Sequence, residues 1–299
     1  STLLASSAAS DVYKRQVIDN PTSSIIPLMN TFRDNQDYEA DMFVNNHEAK
    51  EIMDDNTLLV VVDTNKPSIT QCEDLLYMAK MIVVLDHHRQ GSDTIRNSVL
   101  SYIEPYASSA SEMVAEILQY FTEGIRIRNV EADSIYAGIM IDTDNFMQKT
   151  GVRTFEAAAF LRRCGADVTR VRKLFREDMN DYKARGETIR NAELFRGQFA
   201  ISECPSDYVD SPTVVGAQAA NELLNIVGVK ASFVLTEYKG VIYISARAID
   251  EVNVQIIMER MGGGGHLNMA GCQLETVDLE GARSLLKSTL TEMQDGGEI

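Results

Sequence analysis

The residues most able to do chemistry are three acids and a pair of histidines, each at the end of an apolar run. Asp86-His87-His88-Arg89 follows directly on Ile82–Leu85, and Asp63 ends Leu58–Val62. Asp142 closes Gly138-Ile139-Met140-Ile141-Asp142-Thr143-Asp144. Two carboxylates and an imidazole could converge on one divalent cation, and oxygen-rich ligation with a histidine suits manganese or magnesium better than zinc-thiolate chemistry. An aspartate after a strand is by itself more often a turn or cap residue. Asp-His-His at a strand end is harder to explain without a metal or a phosphate.

The elements that must position these groups follow from periodicity. Short β-branched runs separated by helical segments indicate a parallel α/β sheet, whose ligands gather at the carboxyl ends of the strands. Ser109-Ala110-Ser111-Glu112 reads as a capping box. It opens a helix with Met113, Val114, Ile117, Leu118 and Phe121 on its apolar face. A second helix shows Ala132, Ile135, Tyr136, Ile139 and Met140 on one side and ends near Asp142. Thr154 is the expected cap of a third, which stops at Gly165. Charged helical sequence over 167–194 suits a connector. Beyond it, strands at Gln198–Ser202, Ser232–Tyr238 and Val241–Ala246 alternate with helices near Val215–Ile226, Val254–Met261 and Leu279–Gln294, with a hairpin expected at Lys239-Gly240.

A second chemical motif lies in that last region, in Met261-Gly262-Gly263-Gly264-Gly265-His266-Leu267-Asn268. Consecutive glycines let backbone N–H groups approach a ligand closely, and a helix N-terminus is expected after them to favour an anion. A flexible loop is the plainer reading of the glycines alone; His266 beside them and Arg247 shortly before argue for a ligand.

Asp86-His87-His88 resembles the naming motif of the DHH phosphoesterase superfamily. Longer strings, Val62-Asp63-Thr64-Asn65-Lys66-Pro67, Glu104-Pro105-Tyr106-Ala107-Ser108-Ser109 and Asn253-Val254-Gln255-Ile256-Ile257-Met258-Glu259, resemble its GdpP-type cyclic-di-AMP phosphodiesterases. The resemblance implies a parallel-sheet DHH catalytic domain followed by a smaller α/β substrate-binding domain with a mixed sheet. It implies two divalent cations, with manganese expected, held by Asp63, His87 and Asp142. Asp86 would orient the histidines and His88 would meet phosphate or water. Arg247, Asn253, Gly263, Gly264, Gly265 and His266 are implied to hold the nucleotide. The implied reaction is in-line attack of activated water on phosphorus, opening cyclic di-AMP to linear pApA. A nano-RNase or pAp phosphatase of the same superfamily, or a catalytically inert cyclic-dinucleotide-binding module, are the alternatives.

The expected domains are residues 17–166 (catalytic), 167–194 (connector) and 195–299 (substrate-binding). Residues 1–16 are set aside as a non-native or disordered leader, because Ser10-Asp11-Val12-Tyr13-Lys14-Arg15-Gln16 resembles a translated adapter. The family's opening His-x-x-x-Asp-x-Asp motif does not occur before Asp63. Asp19, Asp34, Asp37, Asp41 and His47 lack its spacing, and His47 reads as the start of an exposed helix. Val17-Ile18-Asp19 resembles the strand after that motif, so an N-terminally truncated chain with impaired activity is expected.

Composition bounds the partners. A formal net charge of -16 is not the basic footprint of a protein that wraps long nucleic acid. A small phosphate ester, cyclic di-AMP or a short linear adenine dinucleotide, fits better where metal ions locally invert the field. Four scattered cysteines form no C-x-x-C pair and suit a reducing cytoplasm. No apolar run reaches spanning length, so membrane contact is not expected of these residues, although the resemblance implies a membrane-anchored whole protein with this region on the cytoplasmic side. A homodimer is an open expectation.

Overall fold

The computed structural model describes residues 14–21, 25–121, 126–249 and 251–299. The expected leader up to residue 13 lies outside the described residues. The chain divides between Arg176 and Glu177 into two compact units.

The first unit runs β1 (Gln16–Val17), α1 (Ile26–Arg33), β2 (Phe43–Val44), α2 (Asn46–Ile52), β3 (Leu58–Val62), α3 (Asp74–Met78), β4 (Met81–Asp86), β5 (Leu100–Ile103), α4 (Ala110–Phe121), α5 (Asn129–Asp142), α6 (Val152–Arg163) and α7 (Val168–Leu174). β3, β4 and β5 form a parallel sheet in that order, with Val62 opposite Leu85 and Asp86 opposite Ile103. β1 and β2 pair in parallel as a separate ribbon, so Gln16 already belongs to the fold, and Arg15 pairs with Glu39 and Asp41. β3 and β4 are the Leu/Val-rich runs expected of a parallel sheet.

Helices α4, α5 and α6 pack through Val114, Ala132, Ile135, Ile139, Ala157 and Leu161. Phe121 departs from the expected apolar face and is 71% exposed, because it sits at the helix end, past the core. Ser109 Oγ caps α4 by accepting the Glu112 N–H at 3.0 Å. The buried Glu112 carboxylate turns to Ser108 and to the Thr154 hydroxyl, the latter 2.6 Å away. α6 therefore starts earlier than expected: its N-cap is Gly151, whose N–H donates to Thr154 Oγ1 at 3.0 Å. The helix does stop before Gly165, which takes φ +101. His47 lies in α2, capped by Asn45, with its side chain 82% exposed.

The second unit runs α8 (Met179–Arg190), β6 (Glu193–Phe195), β7 (Phe199–Cys204), α9 (Pro212–Leu223), β8 (Ala231–Tyr238), β9 (Val241–Ala248), α10 (Val254–Arg260), β10 (Gly264–His266), β11 (Met269–Leu274) and α11 (Leu279–Asp295). Its six-stranded sheet has the order β10-β11-β9-β8-β7-β6; β7 and β8 are parallel and the other pairs antiparallel. Lys239 and Gly240 both take positive φ in the β8–β9 hairpin, the conformation a tight two-residue turn demands. One sheet face packs Phe199, Ile201, Phe233, Leu235 and Ile244 against Ile257 of α10 and Leu286 and Leu290 of α11. The other buries Ala200 and Val234 beneath Ala219, Ala220 and Leu223 of α9.

The helical residues after 167 are shared between the units. α7 packs on the first through Val171 and the Arg170–Asp133 ion pair, and α8 on the second through Ala184. Among the described residues no helix is long and apolar enough to cross a membrane.

Candidate active site

β3 and β4 end side by side, which brings two motifs far apart in sequence to one edge of the sheet. The chain leaves β3 at Asp63 with φ 68, and its N–H donates to Leu85 O at 2.9 Å. A non-glycine residue in this left-handed region costs on the order of 1 kcal/mol, and such strain is found where function requires the geometry. His87 Nε2 lies 3.3 Å from Asp63 Oδ1. The two are not aligned as a hydrogen bond: Asp63 Oδ1 is buried and has no hydrogen-bond partner. The His88 ring centroid is 4.4 Å from that of His87. One ligand atom from each of Asp63, His87 and His88 lies within 4.8 Å of the others.

Asp86 holds this arrangement from behind. It is completely buried and accepts from His88 Nδ1 at 2.7 Å and from the His88 N–H at 3.2 Å. Asn65 Nδ2 donates to its other oxygen at 2.5 Å and to His88 O at 3.3 Å. Burial works to raise the Asp86 carboxyl, but the His88 and Asn65 hydrogen bonds outweigh it and hold the group below its ordinary value. The same bond to Asp86 is the main cause that pushes His88 up, with Asp63 and Asp142 adding to it and burial opposing. With Nδ1 engaged, His88 keeps Nε2 as its free ligand atom.

The structure thus brings Asp63, His87 and His88 together, and it places His88 among the possible ligand atoms. Asp142, the last residue of α5, stands outside that compact group but within its field. Its carboxyl is raised first by burial and then by the charge of Asp63, while His87 and His88 pull it down. Asn65, 3% exposed, is a member that reading the motifs for chemistry passed over; its one signal was its place two residues after Asp63. A buried carboxylate oxygen with no donor, next to two imidazoles, fits a divalent cation.

In the second unit Arg247 pairs with Met269, and Met269 with His266. Residues directly opposite on neighbouring strands share a face, so Arg247 and His266 lie in one row across the sheet. Arg247 Nε is buried without a partner, and among the described residues the guanidinium donates to Ala246 O at 2.9 Å. Burial pushes its pKa down. A cation so placed could hold an anion. His266 itself is exposed.

The glycine run leads into a strand, not a helix N-terminus as expected. β10 turns at Leu267-Asn268 into β11, because only glycines permit so close a pairing. An added Cβ at Gly263 would lie 2.1 Å from Gly271 O, and one at Gly265 (φ +148) 2.5 Å from Met269 O. Gly264 sits between them, opposite Gly271. Asn253 caps α10, accepting the Gln255 N–H at 3.0 Å.

Comparison with known proteins agrees with these two halves. Residues 6–139 match the DHH family, N-terminal domain, and residues 199–292 the DHHA1 domain. The chain is 43% identical over 259 residues to the cyclic-di-AMP phosphodiesterase GdpP of Bacillus subtilis, covering 85% of this chain and 39% of that protein. It is 41% identical over 243 residues to the cyclic-di-AMP phosphodiesterase PdeA of Listeria monocytogenes, covering 81% and 37%. The chain therefore spans about two fifths of the length of these relatives. In fold it is similar to an exopolyphosphatase-related protein from Bacteroides fragilis, with a TM-score of 0.73 at 20% identity over 91% of this chain and 87% of that one. With a DHH domain followed by a DHHA1 domain, the chain belongs to the DHH family and is similar within it to the cyclic-di-AMP phosphodiesterases.

Proposed function

We propose that this chain is the catalytic region of a metal-dependent phosphodiesterase that opens cyclic di-AMP to linear pApA. The observation that carries the reading is the buried, unpartnered Asp63 Oδ1 beside His87 and His88 at the carboxyl ends of β3 and β4. Its relatives' names supply the substrate. Asp63, His87 and His88 would hold a divalent cation, with Asp142 near enough to bias its charge. The oxygen and nitrogen donors favour manganese over softer metals. Such an ion, when bound, lowers the pKa of water and neutralises charge that develops on phosphate.

The chain's own residues do the rest. Asp86 and Asn65 fix the His88 ring so that its orientation is set before substrate arrives. Arg247 supplies a desolvated positive charge for a phosphate, and His266, in the same row, offers a second contact. Asn253 holds the start of α10, and Gly263 to Gly265 keep the hairpin beside that row free of side chains. The 3'-oxygen leaves from phosphorus as water attacks in line.

The compact ligand group among the described residues is the size of one cation site, and the sequence has no His-x-x-x-Asp-x-Asp to serve a second. We infer that a second cation needs ligands of that kind, so that a chain supplied with the motif turns over cyclic di-AMP faster than these residues alone. On resemblance alone, the whole protein is proposed to be membrane-anchored, with this region on the cytoplasmic side. The test is manganese-dependent hydrolysis of cyclic di-AMP, read as pApA by chromatography, for this chain and for one extended by the motif. Turnover by the extended chain alone supports both claims. Equal turnover by both chains removes the requirement for the motif, and no turnover by either removes the substrate assignment.

A further inference from the structure

The second unit carries a groove of about 520 Å³ that Gly263 helps to line and whose other side chains have no role assigned above. Its lining includes Thr213 at the start of α9, Tyr243 and Ser245 of β9, and Gly271 and Gln273 of β11. The register explains how it arises. Tyr243 pairs with Gln273, Ser245 with Gly271 and Arg247 with Met269, so these six positions share the sheet face on which α9 packs against β7, β8 and β9. Gly216 lets α9 sit close on β8, since an added Cβ there would lie 2.4 Å from Thr236 Oγ1. The helix layer reaches as far as β9, and beside it β9 and β11 form the floor.

We propose that this groove receives an adenine base of the bound nucleotide, with Gln273 reading its N6–N7 edge. The inference rests on the phosphate-binding part assigned above to Arg247 and His266. Successive rows on one face are about 7 Å apart along a strand, so the Ser245–Gly271 row lies roughly one nucleoside's reach from Arg247. Gly271 leaves a flat stretch of backbone at that row, where a base can lie; an added Cβ would come within 2.9 Å of Ile244 O. The next row presents the Gln273 amide and the Tyr243 ring to the far edge of the base. A glutamine amide donates to adenine N7 and accepts from N6 at once, whereas guanine offers acceptors at both positions.

A solvated face of an antiparallel sheet would account for Gln273 by itself. It does not account for a concave, glycine-floored groove in line with an arginine whose Nε is buried and unpartnered.

The experiment is equilibrium binding of cyclic di-AMP and of cyclic di-GMP to the full chain without added metal, so that turnover does not intervene. Gln273 is exposed, so its replacement spares the core. Gln273→Arg, which suits guanine O6 and N7, is expected to shift the affinity ratio about tenfold or more toward cyclic di-GMP. Arg247→Ala is expected to weaken both ligands alike. An unchanged ratio in Gln273→Arg, with both affinities lowered in Arg247→Ala, overturns the base assignment and leaves the phosphate assignment standing. No binding by the unsubstituted chain overturns the functional reading and this assignment together.

Discussion

Asp86 shows why a ligand set is more than its ligands. Its carboxylate is shut off from solvent and spends its hydrogen bonds on the His88 ring, the His88 backbone and Asn65. Outer groups of this kind typically set metal affinity by about 10–100-fold. Asp86→Asn is therefore expected to weaken manganese binding within that range while the chain stays folded. Calorimetric titration beside a circular dichroism spectrum checks both points, and unchanged affinity would remove Asp86 from the site. The residues with unusual chemistry, Asp63 and the Asp-His-His run, were legible from sequence because such groups at strand ends have few other uses. Asn65 was not, because an asparagine is ordinary until burial leaves it facing a carboxylate 21 positions away.

Among the elements, Glu112 ties α4 to α6 by accepting from Ser108 and Thr154 inside the core. Glu112→Ala would strand those buried donors, at about 1–3 kcal/mol for each one left unsatisfied. Urea unfolding should show a loss of about 3 kcal/mol or more, and a loss below about 0.5 kcal/mol would mean the network contributes little. β11 yields a pH prediction. Burial pushes the Cys272 thiol up to about 11 from its ordinary 9.0. The unfolded thiol then ionises first, so stability present below pH 9 falls as pH rises toward 11, by at most about 1.4 kcal/mol per unit. Melts of the native chain and of Cys272→Ala over that window should diverge with this sign; parallel curves would contradict it. Long elements such as α5, β8 and β9 were readable from periodicity, which needs several residues to register. β1, β2, β6 and β10 have two or three residues each and leave no such trace. The glycine run misled for another reason: its backbone freedom suits a loop before a helix as well as a tight hairpin, and the contacts that decide come from Gly271, Met269 and Ala270.

For the molecule as a whole, the acidic charge and the α/β alternation gave the class of fold and argued against long nucleic acid as partner. They could not divide the charged helices after residue 167, since solvent-facing charge says nothing of which core the opposite side joins. The second unit has two cores of its own, on either side of its sheet. Residues 177–299 expressed alone are expected to unfold in urea as a single cooperative transition; a broad, non-cooperative loss of structure would show that this unit depends on the first. The central claim, that Asp63, His87 and His88 form a cation centre, is tested most directly by electron paramagnetic resonance of manganese titrated into the chain and into Asp63→Asn. Bound manganese is expected in the unsubstituted chain, with loss of that signal in the variant. Equal binding by the two would contradict it.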